Sequence, residues 1–140
     1  MAAFNKFRQF VEELAKKAHN LDTDTLRLAL TNTAPTNTDT VFDPGSLHPP
    51  PAAANGYTTG GNTLTGQDAE QVAGVLTLSA NDSVFTATAG GIGPARYVIL
   101  WNDTHASDGL IGWWDYGSSF TLADGETLTV DFTTSVLTIT

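Results

Sequence analysis

Apolar residues fall at helical spacing in one place, at Phe4, Phe7, Phe10, Val11, Leu14 and Ala18, with Arg8, Glu12, Lys16 and Lys17 on the remaining faces. That stripe predicts an amphipathic helix within residues 1–21. The turn-forming run Asn20-Leu21-Asp22-Thr23-Asp24 closes it, and the period then changes from three and four to two. Leu26, Leu28 and Leu30 share one face of the next segment, which predicts a strand with that face buried. Similar short runs recur at 62–65, 72–78, 84–88, 119–122, 127–132 and 136–140, separated by Gly, Asn, Asp and Ser.

The segment 95–102 differs from these because no polar residue stands between Tyr97 and Trp101, so it reads as a central strand buried on both faces. Residues 102–109 are a turn cluster ending in Gly109, and 110–116 completes an expected antiparallel hairpin that carries all three tryptophans. Alternation puts Tyr97, Ile99 and Trp101 on one face and Val98, Leu100 and Asn102 on the other. About eight short strands at this spacing predict a mainly β, single-domain antiparallel β-sandwich over 22–140, preceded by the helix of 1–21. Between Asn32 and Gly61 neither period survives; the proline run Pro49, Pro50 and Pro51 is expected to be extended, and a loop this long to have a task or to lie against a partner, with 39–54 as a contact arm.

Composition narrows the partners. Six basic against fifteen acidic residues give a net charge of −9, which argues against nucleic acid or an anionic membrane. Without cysteine there is neither a disulfide framework nor a thiolate metal site. No apolar stretch has the length of a membrane span and the N-terminus has no signal-peptide core, so a soluble protein is expected.

Catalytic patterns are sparse. His19, His48 and His105 stand in unrelated contexts, so a histidine metal site is not expected, and no nucleophile elbow is present. The run Gly90-Gly91-Ile92-Gly93 precedes a strand instead of opening a helix and reads as a turn. Asp103, Asp108 and Asp115 offer oxygen ligands for calcium but lack EF-hand spacing, and read first as turn formers. Trp113, Trp114 and Tyr116 raise a glycan-stacking reading, against which alternation turns Trp113 away from the other two. An enzyme is not expected, and no cofactor or metal is assigned.

The opening run of residues 1–7, the phrase 24–35, and Leu110-Ile111-Gly112-Trp113-Trp114-Asp115-Tyr116-Gly117-Ser118-Ser119 together resemble a family of small proteins encoded in tailed-bacteriophage structural gene clusters. The resemblance spans nearly the whole chain apart from the loop 39–54. It implies a virion structural protein made in the host bacterial cytoplasm, and brings no catalytic residues with it. The leading expectation is a capsid decoration (cement) protein on the outer face of the major capsid protein, assembled as a homo-oligomer, most simply a trimer at threefold positions. A tail or baseplate component and a host-glycan-binding module stand as alternatives. The expected interface residues are Phe4, Phe7, Lys16, Lys17, Pro49, Pro50, Pro51, Trp113 and Trp114. For the helix, packing on its own sandwich and docking on a neighbour both remain open.

Overall fold

A computed structural model of the chain describes residues 2–140. In chain order its elements are β1 (Phe4–Lys6), α1 (Arg8–Ala15), β2 (Leu26–Thr31), β3 (Ala53–Ala54), β4 (Asn62–Thr63), β5 (Asp68–Val72), β6 (Val75–Ser79), β7 (Ser83–Thr86), β8 (Ile92–Asn102), β9 (Leu110–Leu122), β10 (Thr127–Val130) and β11 (Leu137–Ile139). The expected hairpin is the β8–β9 pair, and β8 lies inside a six-stranded antiparallel sheet of order β1-β9-β8-β2-β4, with β3 added to the start of β8. Two smaller sheets, β10-β7 and β11-β6-β5, make the facing layer. The result is a mainly β, sandwich-like single domain.

Alternation along β8 allots its side chains as the sequence predicts. Val98 and Leu100 join Leu26, Leu28, Leu30, Ile111 and Trp114 in the main core, which is closed from the other layer by Leu78, Phe85, Val130 and Leu137. Ile99 and Trp101 face the other way and form a second, smaller core with Ala29, Leu110, Phe7 and Phe42. The main sheet is therefore covered on both faces. This corrects the expectation that β2 has a single buried face, since Ala29 is sealed beneath the second core.

The N-terminal segment also departs from its periodicity. Phe4–Lys6 is a strand paired with Trp114, Trp113 and Gly112 of β9, and the helix is confined to Arg8–Ala15. Backbone groups on the edge of β9 offer these three residues hydrogen bonds that an isolated first helical turn lacks, and nucleating that turn is costly. Gly112 has no side chain in the way; a Cβ there would meet the Phe4 ring at 2.2 Å and the Asn5 carbonyl oxygen at 2.6 Å. The helix begins where Phe7 donates to the Ile111 carbonyl at 3.2 Å and Arg8 to that of Asn37 at 3.0 Å. It ends in a Schellman motif, with Ala18 N–H on the Glu13 carbonyl, Lys17 N–H on that of Leu14, and Lys17 itself at φ 66°. Phe7 and Phe10 are both fully buried, one in each core, so the stripe packs within the chain.

Two further boundaries move. The run 72–78 is broken by a two-residue turn, with Ala73 at φ 51° and Gly74 at φ 84° between the paired Val72 and Val75. The two expected strands of 110–122 are one, because β9 absorbs Gly117 at φ 88° while its ladder with β8 shifts register. The long loop is not a free arm. Val41 bridges to Gly109, Phe42 donates its N–H to the Asp108 carbonyl at 2.8 Å, and Phe42, His48 and Pro51 are buried.

Candidate functional site

A cluster of titratable side chains, Glu13, His19 and His105, lies where the end of α1 meets the β8–β9 loop. The reversal after α1 is held by Asn20, whose Oδ1 accepts the N–H groups of Asp22 and Thr23 at 3.2 and 3.3 Å, while Asp24 Oδ2 accepts that of Asn20 at 2.8 Å. It delivers His19 into the interior beneath the helix, where the ring is wholly buried and lies 5.4 Å from Phe10. At the end of β8, buried Asn102 folds the following loop by accepting the N–H groups of Thr104 and His105 on its Oδ1, at 2.9 and 3.2 Å. His105 then stacks on His19, with ring centroids 5.0 Å apart.

These contacts determine where the protons sit. With Asn102 Oδ1 committed to two backbone donors, its amide nitrogen faces Asp24 Oδ2 at 2.7 Å and His19 Nδ1 at 3.0 Å. His19 Nδ1 is thus an acceptor, and its proton is on Nε2, which donates to Glu13 Oε2 at 2.9 Å. His105 follows the same logic: Nδ1 accepts the Ser107 N–H at 3.1 Å, and Nε2 faces Glu13 Oε1 at 3.4 Å. One carboxylate therefore sits against both imidazoles, hydrogen-bonded to that of His19. Burial depresses the His19 pKa, outweighing the hydrogen bond and charge of Glu13 that pull it upward.

Glu13, His19 and His105 place one potential ligand atom each within 4.8 Å of one another, a spacing a divalent metal could use, and the sequence reading did not expect it. The donor set around them opposes ligation. Coordination through His19 Nε2 would move the ring proton to Nδ1, against the Asn102 amide N–H, and the two backbone bonds on Asn102 Oδ1 prevent the amide from turning over. The same bonds leave neither ring a spare lone pair with which to act as a general base. His48 repeats the arrangement, with Nδ1 accepting the Asp43 N–H at 3.2 Å. All three imidazoles serve as hydrogen-bonded ties.

Other candidates disperse. Asp115 is gripped by the Arg96 guanidinium at 2.8 and 3.0 Å, which holds its pKa down, while Asp103 faces Arg27 at 3.5 Å, so no calcium set forms with Asp108. A groove of about 720 Å³ opens between Phe4, Trp114 and Tyr116 on one side and Asp131, Val136 and Thr138 on the other. Trp114 is only 1% exposed there, so it offers no stacking platform for a sugar ring.

The expected interface residues separate into three groups. Lys16 and Lys17 are exposed, with Lys16 paired to Glu12 one turn back. Phe4, Pro49, Pro50 and Trp113 are half-buried. Phe7, Trp114 and Pro51 are buried in the chain's own packing, where a partner could reach them only by opening the fold. The sequence did not announce the joining of Glu13, Asp24 and Asn102 around His19, nor that of Phe42 with His48; only Asn102, a polar residue ending an apolar strand, carried a local signal. No protein-family model, no curated protein and no solved structure matches the chain.

Proposed function

We propose that the protein is a bacteriophage virion structural component, and within the virion a capsid decoration protein seated on the outer face of the major capsid protein. The observation that carries this reading is that each imidazole, the group best suited to chemistry at neutral pH, has its Nδ1 lone pair engaged by a donor within the chain, while both faces of the main sheet are covered from within the chain. What is left for the outside is an acidic surface, strand edges and isolated apolar tips such as Val72 and Val84, 60% and 49% exposed. Such a unit is suited to binding and bracing, with no turnover required. The resemblance to proteins of phage structural gene clusters points the same way.

In this reading the protein assembles as a homotrimer at threefold positions of the head. Exposed Lys16 and Lys17, with half-buried Phe4, Trp113, Pro49 and Pro50, are the residues through which it would make contact. A reconstruction of the particle tests it: density of this size repeated across the head lattice is expected, at a copy number comparable with the major capsid protein. A few copies confined to the tail tip would overturn the decoration role and favour a tail or baseplate part. Absence from the particle altogether would overturn the virion reading.

A further inference from the structure

Residues 39–48 form a strap across the outer face of the main sheet. Phe42 lies flat on Trp101, with centroids 4.4 Å apart and planes 13° from parallel, and the His48 ring is near-parallel to Phe42 at 5.7 Å and 10°. The His48 side chain is wholly buried. Its Nδ1 accepts the Asp43 N–H at 3.2 Å, and the His48 N–H returns to the Asp43 carbonyl at 2.7 Å, so the imidazole and the backbone of His48 together close the end of the strap on Asp43. Its Nε2 lies 3.3 Å from Asp39 Oδ2 without the alignment of a hydrogen bond and has no other partner.

We propose that His48 is a pH-sensitive latch: the strap closes over Trp101 while the imidazole is neutral and releases that face when the imidazole gains a second proton. That proton has one place to go. Nδ1 must take it, which turns an acceptor into a donor facing the Asp43 N–H and breaks the side-chain bond of the two that close the strap. A charge is at the same time placed on a ring without water.

The groups facing His48 were weighed element by element. From the strap, Asp39 and Asp43 favour the charged ring. From β8, Trp101 presents an uncharged indole, with the Arg27 guanidinium of β2 beyond it at 5.8 Å and Asp103 beside that. From the β8–β9 loop, Asp108 uses its backbone carbonyl on Phe42. Burial outweighs the two strap carboxylates and depresses the pKa of His48. Asp39 stays ionised over the same range; burial raises its pKa, but the hydrogen bonds from Thr36, with the attraction of the nearby His48, bring it below the ordinary value.

Hydrogen exchange of the intact protein between pH 7.5 and 5, corrected for the intrinsic rate, tests the latch. Protection of the Phe42 amide and the rest of the strap is expected to hold down to about pH 6.5, then to fall by up to tenfold per pH unit, while β8 and β9 stay protected. In His48→Gln, which cannot titrate, strap protection should be flat with pH. Equal strap protection in the wild type at pH 5 and 7.5, or the same loss in His48→Gln, would overturn the proposal. Should that variant fold poorly, proton NMR of the wild type decides: strap amides and the His48 imidazole must shift with one midpoint, and separate midpoints refute the latch.

Discussion

Replacing Phe7 by alanine asks most directly whether the N-terminal segment belongs to this domain or waits for a neighbour. Phe7 is 0% exposed, its ring lies 4.6 Å from that of Trp113, and it closes the second core beside Ile99, Trp101 and Phe42. Removing a buried phenylalanine ring costs about 3–5 kcal/mol when the surroundings cannot collapse into the space. Collapse is restricted here, because the N–H of Phe7 is tied to β9 and the next residue to Asn37. An unfolding entropy of about 2.1 cal/mol/K per residue comes to about 0.3 kcal/mol/K for the 140-residue chain, so Tm should fall by about 10–17 °C. The assay is a calorimetric scan at pH 7.5, with near-ultraviolet circular dichroism following the loss of the Trp113 contact. Val11→Ala serves as the control, since Val11 is 49% exposed on the same helix and its truncation should cost under about 0.5 kcal/mol, or about 2 °C. A Phe7→Ala melt within about 3 °C of wild type, a small fraction of the shift worked out above, would show that the second core does not support the fold.

Lys17→Gly should raise stability by about 0.5–1 kcal/mol in urea titrations, because Lys17 sits at φ 66° in the Schellman turn where a side chain costs about 1–2 kcal/mol and glycine's unfolded-state freedom offsets part of the gain. Gly112→Ala should push β1 off β9, since the added methyl would overlap the Phe4 ring; exchange protection at Phe4–Lys6 disappears while that of the β2–β8 pair survives, and retained β1 protection would contradict the geometry. Stability should be level above about pH 6.5 and decline below it. His19 and His48 have pKa values lowered by burial, so the unfolded chain binds more protons there, at a cost of up to about 1.4 kcal/mol per pH unit for each; a flat profile from pH 7.5 to 5 refutes this. Zinc or nickel in excess should leave Tm unchanged at pH 7.5, and an increase abolished by His105→Ala would overturn the proton placement at Glu13, His19 and His105.

Much of the architecture is a local property of the sequence. Period-two alternation from Tyr97 to Asn102 sets which side chains share a face, and Trp113 and Trp114 separate into different cores for that reason alone. The β8–β9 turn is equally legible, since Asn102 and Gly109 are turn formers in their own right. Pattern cannot say what covers a face once it exists. The second core needs Phe7 and Phe42 to arrive from distant parts of the chain, and nothing near Ala29, Ile99 or Trp101 announces them. Phe4 fits the helical stripe of Phe7 and Phe10, yet it becomes a strand because the edge of β9 and the bare backbone of Gly112 are waiting beside it. His19 and His48 make the point most sharply: each looks isolated in the sequence, and the direction of its hydrogen bonds is decided by Asn102, Glu13 and the Asp43 backbone, partners that only the folded chain brings within hydrogen-bond reach. Hydrogen-bond direction depends on atomic positions, and those are set by tertiary structure.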